Sequence, residues 1–205
     1  MSEIRSVCVY CGSSDGRSET YLAAGEALGR SIAQAGLRLV YGGGTRGIMG
    51  AVARGAAASG GRITGIIPRF LIRKETDGDA PNLTDDLIVT EDMHTRKHSM
   101  FANSDAFVAL PGGIGTLEEI VEIMTWGQLG RHHKPIAFAN VGGFWTPMLA
   151  LLDHMKGEGF IHSQHLVRPL VVDAVADVVP TIQTAARSAA QSRGAQGDPA
   201  VIDRM

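Results

Sequence analysis

Long apolar runs are missing from this chain: none of its segments approaches the roughly 18 uninterrupted apolar residues that a membrane-spanning helix needs. The N-terminus, MSEIRSVCVYCGSS, also lacks a basic stretch followed by a long apolar one, so no secretory leader is expected. Charge of one sign is missing as well. Nineteen Lys and Arg stand against 21 Asp and Glu, a net charge of −2. A chain so balanced has no general attraction to nucleic acid or to a lipid surface, and any phosphate recognition must be local. The expectation is a cytoplasmic protein with neither nucleic acid nor membrane as partner.

Cysteine is scarce, with only Cys8 and Cys11. Their C-x-x-C spacing could signal redox chemistry or zinc, but the pair lies in an apolar, strand-like run and no second pair completes a metal site. Residues three apart on a strand point to opposite faces, so packing explains them better. Three further motifs are missing: G-x-x-x-x-G-K-[ST], H-E-x-x-H and G-x-S-x-G. ATP hydrolysis, zinc proteolysis and esterase chemistry lose support accordingly.

What is present is a regular alternation. With 205 residues, 44% of them hydrophobic and 20% charged, the chain can bury one sizeable core. Short β-branched runs near 5–11, 37–42, 62–67, 87–90, 106–110, 135–139 and 169–172 read as strands. Helical patterns follow near 18–35, 47–59, 93–103, 116–129, 144–157 and 174–188. Strands alternating with helices predict an α/β fold: a Rossmann-like, doubly wound parallel sheet flanked by helices, in one domain over residues 1–188. From about Ala189 the periodicity is lost, and residues 189–205 read as a disordered tail.

Ligands of such sheets bind where strand ends meet helix N-termini, and two Gly-rich loops lie at such places. The first, Tyr41 to Gly50, contains G-x-G-x-x-G at Gly42, Gly44 and Gly47. It follows the second strand, not the first, and the next strand ends Ile66-Ile67-Pro68-Arg69 with no acidic residue for a ribose. NAD is disfavoured, while Arg69 leaves NADP open. The second loop, Leu110 to Glu119, again opens a helix. Two cradles of this kind suggest a phosphosugar ligand, with backbone N–H groups of Gly43, Gly44 and the second loop facing a phosphate.

Several side chains compete for roles around these loops. Thr116 and Glu119 fit a T-x-x-E capping box. Leu117, Ile120, Val121 and Met124 fall at helical spacing and form the expected buried stripe, which turns Glu119 toward the cleft. Glu122 lies one turn further on the same side; nearness to the loop favours Glu119. In the segment Asp92 to Met100, His94 and His98 could share a metal, but no third ligand follows at a recognisable spacing, and no metal is expected. Arg96 or Lys97 could grip phosphate or ribose oxygens.

The ordered motifs C-G-S-S (Cys11 to Ser14), Y-G-G-G-x-x-G-I-M-G (Tyr41 to Gly50), M-H-x-R-K (Met93 to Lys97), P-G-G-x-G-T-x-E-E (Pro111 to Glu119) and T-W-x-Q-L-G (Thr125 to Gly130) resemble the "lonely guy" (LOG) family of cytokinin-activating phosphoribohydrolases. The resemblance runs from about Val7 to Ile161. It implies hydrolysis of a nucleoside 5′-monophosphate, a cytokinin riboside monophosphate or AMP, to free base and ribose 5-phosphate, without a cofactor. It makes Arg96 and Glu119 the catalytic pair. Lys97, Gly112, Gly113, Ile114, Gly115, Thr116, Leu117, Glu118 and Thr125 match nucleotide-contacting positions, and Glu75 matches a further acidic one. The loop around Glu75, Arg73 to Asp79, departs from the family pattern. So does Arg46, where many members carry a small or apolar residue and where an added phosphate contact is expected. The family resemblance also implies a homodimer with the site near its interface. The "possible lysine decarboxylase" label often attached to such proteins finds no support here, since none of the four lysines lies in a pyridoxal phosphate context. Molybdenum-cofactor carriers share the fold and supply a non-catalytic alternative.

Overall fold

A computed structural model of the chain describes residues 4–76, 83–161 and 168–195. Seven strands form one sheet: β1 (Ser6–Tyr10), β2 (Arg38–Tyr41), β3 (Ile63–Pro68), β4 (Asp86–Thr90), β5 (Ala106–Ala109), β6 (Ile136–Ala139) and β7 (Leu170–Val172). Their order is β4-β3-β2-β1-β5-β6-β7, and every pairing is parallel. The helices are α1 (Glu19–Gln34), α2 (Gly47–Ala57), α3 (Ile72–Glu75), α4 (Met93–Ala102), α5 (Ile114–Gln128), α6 (Thr146–Gly157) and α7 (Val178–Ala195).

The central strands are buried on both faces, so they read as continuous apolar runs and do not alternate. One core layer gathers Leu28, Ile32, Val52 and Ile182 from α1, α2 and α7. The other gathers Met100, Ile120, Ile123 and Trp145 against the opposite face. Cys11 belongs to the first layer and Cys8 to the second, as their spacing predicts. Both are free thiols; burial pushes Cys8 up to about 12 and Cys11 well above its usual value, which leaves them protonated and unreactive.

The expected strands all form, with ends within two residues of those read from the sequence. Three features differ. The helix expected from 116 begins at Ile114, with Gly113 as its N-cap. The α3 turn and the 3-10 turn before it, Arg69–Leu71, have no periodicity long enough to be seen. The last helix begins at Val178 and runs to Ala195, so helix extends into the stretch expected as tail. Ala185, Ala186, Ala189 and Ala190 sustain it, because alanine carries high helix propensity even where an apolar stripe fades.

The chain leaves β1, winds outward through β2, β3 and β4, then returns to place β5 against the other side of β1. That reversal opens a crevice between the carboxyl ends of β1 and β5, the place where open α/β sheets bind ligands.

Candidate active site

At that crevice lies a cavity of about 280 Å³. Its wall on the β5 side is the second Gly loop. The first turn of α5 has backbone N–H groups without intrahelical acceptors, as every helix does, and Gly113, Ile114, Gly115 and Thr116 all line the cavity. No side chain caps this helix: Thr116 is its third residue and Glu119 its sixth, so the expected capping box does not form. The start of α5 therefore presents bare donors and partial positive charge to the cavity. Gly112 is required here because a Cβ would collide with Thr116 Oγ1 and crowd the Gly12 amide. The Gly12 amide in turn donates to the Pro111 carbonyl at 3.0 Å, tying the β1 loop to the β5 loop.

The wall on the β2 side is built around Arg96. α4 places it in the interior, 5% exposed, with Nε donating to the Ile66 carbonyl at 3.1 Å and Nη2 to the Gly42 carbonyl at 3.2 Å. A Cβ at Gly42 would strike the guanidinium, so the glycine admits the arginine. Two carboxylates flank it. Glu75 Oε2 lies 3.8 Å from Nη2 and Glu119 Oε1 lies 3.9 Å from Nη1. Burial raises the Glu119 carboxyl to about 7, with Arg96 opposing the rise. Burial raises Glu75 too, against the same guanidinium. Glu75 Oε2 is buried without a hydrogen-bond partner, an arrangement that calls for a donor from a ligand.

The structure thus gathers Arg96, Glu119, Glu75, Gly113, Ile114, Gly115 and Thr116 around one cavity; Gly43, Gly44, Lys97, Gly112, Leu117, Glu118 and Thr125 are not among its lining residues. Lys97 pairs with Glu118 and with Glu122 Oε1, at 3.1 Å for the latter, on the outer side of α4 and α5. Glu122, the rival carboxylate, is therefore committed to that lysine. Gly43 packs against Ile67, and Gly44 against Met49 and the Glu75 backbone. His94 and His98 are exposed, and among the described residues no cluster of His, Cys, Asp or Glu is arranged to hold a metal. Arg69 reaches Glu91 at 3.5 Å on the surface. Residues that sequence reasoning did not assign to the site include Tyr10, Gly12, Ser13, Met49 and Met100. Their position at the carboxyl end of β1 was the available signal for the first three.

The buried stripe of α5 also differs from expectation. Thr116, Glu119, Ile120 and Ile123 are buried, whereas Val121 is 38% exposed and Leu117 and Met124 are half-buried. Leu117, Val121 and Met124 join Thr125, Met148 and Leu151 along an apolar groove of about 690 Å³ between α5 and α6. Two apolar stripes lie on α5, and spacing alone does not tell which one meets the sheet.

Fold and site together define a Rossmann-like protein in which an uncapped helix N-terminus faces a buried Arg and carboxylate pair. The model of a family described as "possible lysine decarboxylase" matches residues 49–182. The chain is 44% identical over 160 residues to the cytokinin riboside 5′-monophosphate phosphoribohydrolase LOG of Oryza sativa subsp. japonica, covering 78% of this chain and 65% of that one. It is 42% identical over 173 residues to LOG3 of Arabidopsis thaliana, a protein of the same name, covering 84% and 78%. Against the probable LOGL5 enzyme of rice, 43% identical, the chain spans about two thirds of the relative's length, 64%. The chain belongs to the LOG family. In fold it matches the molybdenum cofactor carrier protein of Chlamydomonas reinhardtii, with a TM-score of 0.67 at 21% identity over 90% of this chain and 98% of that one.

Proposed function

We propose that this chain hydrolyses the N-glycosidic bond of cytokinin riboside 5′-monophosphates, and of AMP, to free base and ribose 5-phosphate. The observation that carries the reading is the placement of Glu119 one helical turn beyond Gly115, with both lining the same cavity. One turn of helix rises about 5.4 Å, comparable with the span from a 5′-phosphate to the anomeric carbon across a ribose. A phosphate seated on the N–H groups of α5 brings that carbon to Glu119. As the bond from the anomeric carbon to the base nitrogen breaks, its electron pair leaves with the base, which takes a proton, and the sugar becomes oxocarbenium-like. An ionised carboxylate beside it supplies the opposite charge in a site already organised for it. Water then adds to the same carbon and loses a proton. Arg96, fixed by two backbone carbonyls, favours the ionised form of Glu119 against the burial that raises its carboxyl, and has further N–H groups for ribose or phosphate. Glu75 offers its unpartnered oxygen to a ribose hydroxyl. Met49, Met100 and Ile114 add apolar wall for a base.

The same reading includes a homodimer in the cytosol. The exposed stripe of α5 and its groove against α6 suit a second copy of this chain, because a patch of this kind is costly to leave in water. No helix among the described residues is long and apolar enough to cross a membrane. Relatives named as phosphoribohydrolases support the activity; the carriers share only the fold. Incubation with AMP and with N6-isopentenyladenosine monophosphate, followed by chromatography, tests the proposal. Free base and ribose 5-phosphate are expected. Tight retention of either nucleotide with no release of base would replace the enzyme with a carrier.

A further inference from the structure

Several donors of the first Gly loop are spent within the protein. The Thr45 amide donates to the Glu75 carbonyl at 2.8 Å, and Arg46 Nη1 donates to the carbonyl of the preceding Lys74 at 3.2 Å. The Met49 amide is taken by the Gly12 carbonyl at 3.1 Å. Gly44 lets α3 come close: a Cβ there would stand 3.1 Å from the Glu75 carbonyl oxygen and 3.4 Å from its Cβ.

α3 needs such support. It is a single turn of four residues, Ile72–Glu75, and a helix that short does not hold itself in water. Thr76 braces its end, with amide and hydroxyl both donating to the Ile72 carbonyl. The exact place of Glu75 matters, however, because its unpartnered oxygen sits 3.8 Å from Arg96 in the cavity.

We infer that Arg46 is a positioning residue: with the Thr45 amide it clamps the last turn of α3, and so holds the Glu75 carboxylate in the nucleotide site. Arg46 thereby acts on substrate affinity through Glu75 and not by touching phosphate. This rests on the proposed nucleotide activity, in which Glu75 meets the ribose.

The test compares Arg46→Ala, Arg46→Lys, Glu75→Ala and the double variant Arg46→Ala/Glu75→Ala. Arg46→Ala raises KM for the nucleoside monophosphate roughly threefold to tenfold, the loss expected for one net hydrogen bond, and changes kcat less. Arg46→Lys keeps a donor and recovers most of the loss. On the Glu75→Ala background, Arg46→Ala adds no further loss, because its effect passes through the missing carboxylate. Inhibition by inorganic phosphate is unchanged in Arg46→Ala. Additive losses in the double variant, or weakened phosphate inhibition in Arg46→Ala, overturn the inference and make Arg46 a direct phosphate contact. Backbone hydrogen exchange over residues 69–76 reads the clamp without any substrate. Faster exchange there in Arg46→Ala than in the parent is expected, and unchanged exchange overturns the clamp. A chain that shows this faster exchange but neither binds nor cleaves nucleotide would instead defeat the proposed activity.

Discussion

Glu119 Oε1 lies 3.9 Å from Arg96 Nη1, both side chains almost wholly out of solvent, yet the pair is too far apart to satisfy either partner fully. Burial consequently outweighs the guanidinium and the Glu119 carboxyl rises to about 7. In the proposed reaction, a charge that burial makes costly is offset when positive charge appears at the sugar.

Changing Glu119 to Gln separates folding from catalysis. Turnover should fall on the order of 10²-fold or more, as for other preorganised electrostatic groups. Stability should move the other way. A carboxyl raised from 4.5 to about 7 contributes stability below pH 4.5 and loses it as pH climbs through 7. The variant should therefore melt above the parent at pH 8 by an amount equivalent to at most about 3 kcal/mol, with the gap closing near pH 5. A variant that melts below the parent at both pH values would show that the carboxylate is structural.

In the parent enzyme the acid limb of kcat/KM should fall near pH 7, since the ionised carboxylate is the active form. Glu122→Gln serves as the control. Its carboxylate is occupied by Lys97 outside the cavity, so this variant should keep both the limb and the parental rate. Loss of turnover in Glu122→Gln would place the catalytic carboxylate there.

Arg96→Met leaves two buried carboxylates without their shared cation. Destabilisation of roughly 3 kcal/mol is expected at pH 8, and less at pH 5, where the Glu119 carboxyl, raised to about 7, takes a proton. Chemical denaturation at the two pH values measures the difference; equal losses at both would mean that packing, not charge, is what Arg96 supplies.

Two glycines of the site should respond differently to alanine. At Gly42 the new methyl meets the Arg96 guanidinium, so Gly42→Ala should lose both stability and activity. At Gly115 a Cβ meets nothing within 4 Å and the backbone is helical, so Gly115→Ala should melt at or above the parental temperature. Its KM should nevertheless rise, because the methyl enters the space assigned to the phosphate. Parental KM in Gly115→Ala would move the phosphate off this loop.

Val121→Asp places a charge in the middle of the exposed stripe of α5 and should convert a dimer to monomer in sedimentation or light scattering. A variant that remains dimeric would assign the interface to another face.

The order of strands and helices, the parallel sheet and the two glycine loops at strand ends were legible in the chain because each is a local pattern: β-branched runs, helical spacing, glycine where a strand turns into a helix. Arg96 and Glu119 were named from motif resemblance, and the structure brings them to one cavity. The tertiary structure alone decided the rest. It turned Glu119 with Ile120 and Ile123 inward while leaving Val121 exposed and Leu117 and Met124 half-buried, a choice between two apolar stripes that periodicity cannot make. It sent Lys97 and Glu118 to each other on the outside. It also spent the Thr45 amide and the Arg46 guanidinium of the first loop on a turn about thirty residues away. Local sequence records what a segment prefers to become; which partner a donor or an apolar face meets is settled by contacts between distant segments, and those exist only once the sheet has closed around its crossovers.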